Sequence, residues 1–523
     1  MNETLVDVWR RTAEEVGAGS LLHYCDTTIT ASEVRAEANA LASHFLQLGL
    51  APDDRVAICL QNDPPWLTAL LASWQAGLIV VPLNPMVRQT ELRHYLTDSG
   101  ARVLITSPDY LDEVASDVLT ELALVEVLVS GSSEDDPCTG HTRGRTPVRP
   151  LDEVVAEVGE MADVQVPRLP DDVALLAYTS GTTGPPKGAM NTHANMRYSA
   201  EMLANWYGLE RSDVIWAIAP FFHITGLTTA LALAIYTGAP MVMFHRFEAA
   251  TAMRYAEHWR ATFCVGAITA YIAMMSDPTF PARNLSPLTK VFTGGAPVSP
   301  ATVDRFEQLT GTYIHNGYGL TESTGPATFT PRGKHAPIDA ASGALSVGVP
   351  LPGMSVEFVD PETRAPLKDG EVGEIVLSGP LVVAGYWNRA DETKHAMPQG
   401  RLHTGDIGFV SDDGYLFIVD RAKDQINASG FKVWPREVEE VLFTHPAVLE
   451  AAVVGRPDAY RGETVAAYIV LRPGEMATAQ GLTEFCRSRL AAYKRPRSFD
   501  FVSTLPKTLT GKVLRRTLRD EAH

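Results

Sequence analysis

Between residues 54 and 107 the chain changes its hydrophobic period from segment to segment, and this constrains the fold more than any other feature. DRVAICLQ (54–61) is an apolar run of strand length, and PPWLTALLASWQAG (64–77) carries a helical pattern entered through proline. LIVVPL reads as a strand, QTELRHYLTDSG as a helix and ARVLITS as a further strand. Short apolar strands alternating with helices specify a parallel sheet with helices on its faces. The expected class is therefore α/β.

At 523 residues the chain is too long for one core and asks for about three or four domain-sized units. The segment 131–150, GSSEDDPCTGHTRGRTPVRP, is polar and rich in Gly and Pro, and reads as a surface loop or linker. After about residue 350 the texture changes to Gly-punctuated strands such as GEVGEIVLSGP and DDGYLFIVDR, which predict a small antiparallel β unit. Beyond Asp424 the pattern helix, strand, strand, helix has the size of a small α+β domain. The boundary is expected near DRAKD (420–424), dividing the chain into 1–422 and 423–523. No internal repeat or heptad run is visible.

A formal net charge of −18 repels nucleic acid backbones, so an anionic ligand has to be held by local donors. Cys25, Cys59, Cys138, Cys264 and Cys486 are scattered without a CxxC pair, which argues against a disulfide framework or zinc site and fits a reducing cytoplasm. The N-terminus carries acidic residues and no apolar signal region. The longest apolar runs are broken by Gly and Pro, so no transmembrane segment is expected.

YTSGTTGPPKGAM (178–190) follows the apolar strand VALLA. Gly181, Gly184 and Gly188 let the backbone approach a ligand, while Thr179, Ser180, Thr182 and Thr183 supply hydroxyls and Lys187 one positive charge. That is an anion cradle. It is not a Walker A loop, because Lys187 is followed by Gly188 rather than the Ser or Thr that holds Mg²⁺ there.

The loop resembles the signature of the adenylate-forming superfamily: acyl-CoA synthetases (the fatty-acid–CoA ligase family among them), adenylation domains of peptide synthetases and firefly-type luciferases. The remaining motifs occur in order, so the resemblance covers nearly the whole chain. It implies a large N-terminal domain of parallel α/β sheets with a small β unit, followed by a small mobile α+β C-terminal domain. The signature loop would hold the β- and γ-phosphates of ATP. GGAP, with Gly294, Gly295, Ala296 and Pro297, would lie against adenine and the acyl pocket, though alone it reads as a tight turn. In NGYGLTES, Asn316 and Gly319 belong to the nucleotide site, Tyr318 would stack on adenine, Thr321 would touch the α-phosphate and Glu322 would hold Mg²⁺. Asp406 in HTGDIG and Arg421 in VDR would bind the ribose hydroxyls.

The same resemblance puts His223 of PFFHITG at the junction of acyl pocket and phosphate site, orienting the carboxylate or gating the pocket. Lys512 in PKTLTGKVLRR would close over the site during adenylation, and Lys423 would be the hinge. Ser429, Gly430, Phe431, Lys432 and Trp434 look like the segment lining the pantetheine tunnel of CoA ligases, with Lys494, Arg495 and Arg497 as further phosphate contacts. Two departures stand out. Arg401-Leu402 replace an aromatic pair common before HTGD, and Asn427 stands where some luciferase-like members have Lys.

The implied reaction has two steps, acyl-AMP formation and transfer to the thiol of CoA, with ATP, Mg²⁺ and CoA as the small-molecule set. The acyl pocket, by position in the family, is lined by Phe222, Thr225, Ala267, Tyr271, Gly294, Gly317 and Thr324. It carries no second charge, which predicts an apolar monocarboxylic acid, a medium- or long-chain fatty acid or an aryl acid, and its glycines predict the depth that favours a medium or longer chain. The alternatives are transfer to an amine or a carrier-protein thiol, and a non-catalytic adenylate sensor. The expected partners are the acid, ATP and CoA, with no nucleic acid; a homodimer is left open.

Overall fold

The computed structural model describes residues 3–122, 124–131, 141–143, 146–159, 163–179, 185–340, 343–368, 370–421, 424, 426–428, 431–458, 462–487, 489–507 and 513–520. Among these residues the N-terminal part contains two large sheets. One has eight strands, in the order Lys187–Thr192, Val173–Thr179, Ile79–Pro82, Arg55–Cys59, Ala101–Thr106, Glu126–Val129, Thr146–Pro150, His141–Arg143. The other has nine: Val349–Pro350, Gly325–Phe329, Ile314–Leu320, Lys290–Gly294, Phe263–Gly266, Ile215–Trp216, Met241–Met243, Ser20–Tyr24, Thr27–Thr30. The interior of each is parallel and the edges are antiparallel. The strands read at 54–61, LIVVPL and ARVLITS are Arg55–Cys59, Ile79–Pro82 and Ala101–Thr106, and the helices between them are Pro64–Gln75 and Gln89–Ser99.

The inner strands look uniformly apolar because both of their faces are buried. Val56, Ile58, Val103 and Ile105 point into the core shared with Phe263 and Phe292 of the other sheet and with Trp66, Trp74, Phe45 and Leu203 from helices. Their neighbours Ala57, Cys59 and Leu104 face an outer core with Leu92, Leu96 and Val118. Cys264 and Val291 likewise face outward, onto Tyr271, Met274 and Phe306. Period-two alternation thus feeds two cores from each strand. No described helix is long and apolar enough to cross a membrane.

The segment 131–150 is not a loop throughout. His141–Arg143 pairs antiparallel with Thr146–Pro150, which adds in parallel to Glu126–Val129. Its composition resembles a linker because its two strands are short and lie at the margin of the sheet, His141–Arg143 outermost and Thr146–Pro150, with Pro147 and Pro150, next to it.

The four strands Ser355–Val359, Gly373–Ser378, Leu402–Val410 and Leu416–Arg421 form an antiparallel sheet. A separate sheet begins at Ile426–Ala428 and includes Phe431–Val433, Val448–Asp458, Gly462–Leu471 and Ser498–Phe501. In Val448–Asp458, Ala451 and Val453 pack with Val438 and Leu442 of the helix Pro435–Phe443 and with Leu482 of Ala479–Arg487. Ala452 and Val454 face the other way, onto Leu505, Val513 and Leu518. The C-terminal stretch and the first helix therefore cover opposite faces of this small sheet.

Candidate active site

The parallel strands of the nine-stranded sheet all end at one edge, the place where open α/β sheets bind ligands. Phe263–Gly266 is followed by Ala267, Lys290–Gly294 by Gly295, Ala296 and Pro297, and Ile314–Leu320 by Thr321 and Glu322. Gly294 stands in register with Gly317. The short strand Ile215–Trp216, in parallel register with Phe263–Gly266, leads to Phe222, His223 and Thr225. Stretches far apart in sequence are thus gathered by strand direction alone. Gly295 has φ +79, a left-handed turn that favours glycine.

Tyr318 and Asp406, 88 residues apart, are joined by a 2.6 Å hydrogen bond from the phenol to the carboxylate Oδ2. Both are buried, so the ring is fixed in place. Arg421 lies directly across from Asp406 in the strand register. The Asn316 amide donates to the Ser346 carbonyl at 3.0 Å, and its Oδ1 is buried without a partner among the described residues.

Thr179 and Lys187 face each other at the base of the signature loop, on two antiparallel strands. Ser180, Gly181, Thr182, Thr183 and Gly184 lie outside the described residues. Four side chains that sequence reasoning did not select hold the flanks of the loop. His94 Nε2 donates to the Pro186 carbonyl at 3.0 Å. Asp98 accepts the Tyr178 hydroxyl at 2.8 Å and Arg389 at 2.7 Å. Tyr386 lies under the Lys187 ammonium, 4.7 Å from Nζ to the ring centroid, and donates its hydroxyl to Glu322 Oε1 at 2.8 Å. The segment 384–387 is tied to the loop strand by main-chain bonds from Met190 N to Gly385 O, Ala384 N to Met190 O and Trp387 N to Gly188 O. His94 and Asp98 sit four residues apart on the predicted helix and so share a face. That spacing was the available signal, but it does not say what the face meets.

His223 caps the helical turn Ile224–Gly226, with Nδ1 accepting the Thr225 N–H at 3.3 Å. A neutral ring therefore carries its proton on Nε2. The helix continues through a π-turn at Leu227–Leu231, a feature frequent at functional sites. Asn62 was also missed. Its buried amide donates to the carbonyls of Ala217 (3.2 Å) and Ala219 (3.0 Å) and accepts the Phe221 N–H (2.8 Å), clamping the segment between Ile215–Trp216 and His223.

The residues read as acyl pocket divide into two groups. Phe222, Thr225, Ala267 and Gly294 are half-buried at the strand edge. Tyr271 and Thr324 are fully buried, with hydroxyls donated to the Phe292 carbonyl and the Leu381 carbonyl, each at 2.8 Å. Two of its glycines stand against close neighbours. A Cβ on Gly317 would meet the Phe329 ring at 2.3 Å, and one on Gly294 would meet the Gly317 carbonyl oxygen at 3.0 Å. Phe329 lies opposite Gly317 on the paired strand and fills the missing side chain's place. Gly317→Ala should therefore cost about 1–3 kcal/mol as overpacking. Adding Phe329→Leu should recover much of the loss, measured as melting midpoints of the single and double variants; independent, additive losses would disprove the contact.

Lys423, Ser429, Gly430 and Lys512 lie outside the described residues. Phe431 and Lys432 are on the strand Phe431–Val433, and Trp434 precedes the helix Pro435–Phe443. Lys494 is paired with Glu437, Arg495 Nε donates to the Leu490 carbonyl at 2.8 Å, and Arg497 is exposed. Of these three basic residues, Lys494 already has its charge engaged.

The family profile described as AMP-binding enzyme matches residues 9–387, and that of the AMP-binding enzyme C-terminal domain matches residues 437–512. A long-chain-fatty-acid–CoA ligase of Bacillus subtilis (strain 168) is 34% identical over 541 residues, covering 99% of this chain and 95% of that protein. A feruloyl-CoA synthase of an Amycolatopsis species is 35% identical over 496 residues, covering 94% of each. The crystal structure of the anthranilate CoA ligase AuaEII in complex with anthranoyl-AMP superposes with a TM-score of 0.90 at 28% identity, covering 100% of this chain and 97% of that one.

Proposed function

The chain belongs to the AMP-binding enzyme family, within the adenylate-forming superfamily that includes the acyl-CoA synthetases, and from that premise we propose that it couples an apolar monocarboxylic acid, fatty or aryl, to CoA through an acyl-adenylate. The observation that carries the reading is the Tyr318–Asp406 hydrogen bond. It joins an adenine-type platform to a ribose-type carboxylate at the strand edge where the other motifs end.

In the first step a carboxylate oxygen of the acid attacks the α-phosphorus of ATP and pyrophosphate leaves. The acid is already ionised at pH 7, so no general base is required. The barrier is charge repulsion, which Lys512, Thr321 and the loop donors reduce by facing the charge that develops. Glu322, just beyond its strand and accepting the Tyr386 hydroxyl, is the residue that would hold a magnesium ion brought with ATP. When bound, that ion supplies neutralisation of the phosphates. His223, with Nδ1 engaged by Thr225, turns Nε2 to the acid.

In the second step the thiol of CoA attacks the acyl carbonyl and AMP leaves. We assign residues 1–422 and 423–523 to two domains with the hinge at Lys423. Asp424, next to it, is buried and ion-paired with Arg515 at 3.5 Å and with Arg519, so the chain beyond Lys423 moves with the small domain. The stretch that carries Lys512 and the first helix cover opposite faces of the small sheet, which supports a rotation between the two steps. Lys423→Pro should impair one half-reaction selectively. Equal loss in both, at unchanged melting midpoint, would remove the hinge.

The direct test is AMP release from ATP and Mg²⁺ with a panel of fatty and aryl acids, with and without CoA, and with products identified by mass. Acyl-CoA formation with a defined optimum among the acids is the expected result. The relatives that act on long-chain fatty acids and on feruloyl groups support both halves of that panel. AMP formed equally without CoA would redirect the reading to an amine or carrier-protein acceptor. ATP binding with no turnover of any acid would make the protein an adenylate sensor.

A further inference from the structure

Among the described residues no ion pair joins the loop lysine, Lys187, to Glu322, and a single side chain touches both. Tyr386 presents its ring to the Lys187 ammonium and its hydroxyl to Glu322 Oε1. Its position does not depend on either contact. It is 6% exposed, forms an antiparallel bridge with Ala189, and donates its backbone N–H to Thr393 Oγ1 at 2.9 Å. The Glu322 carbonyl is itself fixed by the Val383 N–H at 3.0 Å. In that bond the Tyr386 hydroxyl is the donor and the Glu322 carboxylate the acceptor, 2.8 Å apart. A tyrosine ring under an ammonium is a favourable cation–π arrangement, and a carboxylate held by a hydroxyl has one oxygen oriented and the other left for a cation.

We propose that Tyr386 is a positioning residue that prepares this site for magnesium-bound ATP. Its hydroxyl orients the Glu322 carboxylate, and its ring holds the Lys187 ammonium beside the loop until phosphate takes its place. The proposal rests on the reading of Glu322 as the residue that would hold magnesium. Tyr386 was invisible as a candidate because nothing local marks it; 64 residues separate it from Glu322.

The test is calorimetric titration of ATP into the full-length protein, without acid or CoA, over a series of Mg²⁺ concentrations and in EDTA. It is run on wild type, Tyr386→Phe, Tyr386→Leu and Glu322→Gln, with the melting midpoint of each. Tyr386→Phe keeps the ring and loses the hydroxyl. It should melt near wild type, bind ATP as wild type in EDTA, and need about tenfold more Mg²⁺ for the same gain in ATP affinity. Tyr386→Leu should in addition weaken ATP binding in EDTA, by about two- to fivefold, as Lys187 loses the ring. Wild-type Mg²⁺ dependence in Tyr386→Phe, with that dependence lost in Glu322→Gln, would overturn the proposal and leave the metal reading standing. Wild-type Mg²⁺ dependence in Glu322→Gln would overturn the metal reading, and the proposal with it. A lowered melting midpoint in Tyr386→Phe with unchanged Mg²⁺ dependence would make Tyr386 a packing residue and overturn the proposal.

Discussion

Lys512→Ala should slow acyl-adenylate formation by about 10²–10³-fold, the usual cost of removing one electrostatic contributor from a transition state, and should leave the thiol step nearly intact. The reason is the direction of charge. In adenylation an anion attacks a polyanion, and a lysine facing the α-phosphate stabilises charge that is absent from the ground state. In thioester formation the leaving group is AMP, and under the proposed rotation the small domain would present its other side. Val513, beside Lys512, packs with Leu505 and Leu518 on the sheet face opposite the helix Pro435–Phe443. Under that rotation one segment of the domain would turn away as the other turns in. The measurement is pyrophosphate release for the first half-reaction, and acyl-CoA formation from pre-formed acyl-adenylate plus CoA for the second. Equal slowing of both would remove Lys512 from its assigned role.

Asn62→Leu is expected to be the most damaging change away from the reacting atoms. The side chain keeps its size but leaves the Phe221 N–H and the carbonyls of Ala217 and Ala219 without their partner in a buried place. An orphaned buried polar group costs about 1–3 kcal/mol, so losing three partners at once should cost about 3 kcal/mol or more. The affected segment delivers Phe222 and His223 to the site, so the Michaelis constant for the acid should rise more than that for ATP. Asn62→Asp should also destabilise, because a carboxylate would oppose two carbonyl oxygens. Melting midpoints and separate KM values for acid and ATP decide the matter. A wild-type midpoint and an unchanged acid KM in Asn62→Leu would show that the clamp contributes nothing.

Much of the fold was legible because its signals are local. The alternation at 54–106 requires only the chain's own periodicity, and each strand and helix read there is present within a few residues. The motifs were legible for the same reason, since YTSGTTGPPKG, NGYGLTES and HTGDIG are each continuous. The strands in 131–150 were not, because their composition is that of a loop and only pairing, of Thr146–Pro150 with Glu126–Val129 and of His141–Arg143 with Thr146–Pro150, makes them strands. Nor was the closed space at Gly317, where the missing side chain's volume belongs to Phe329.

The sequence by itself determined the class of fold, the family, and the stretches that carry nucleotide chemistry, since period and motif are properties of neighbouring residues. Only the tertiary structure decided which side chains meet: Tyr318 with Asp406, Tyr386 with Lys187 and Glu322, Asp98 with Tyr178 and Arg389, and Asn62 with the segment before His223. Those meetings follow from strand order and from the crossovers that set it. A hydrogen bond spanning many tens of residues leaves no periodic trace in the chain, because its two ends are brought together by the packing of everything between them.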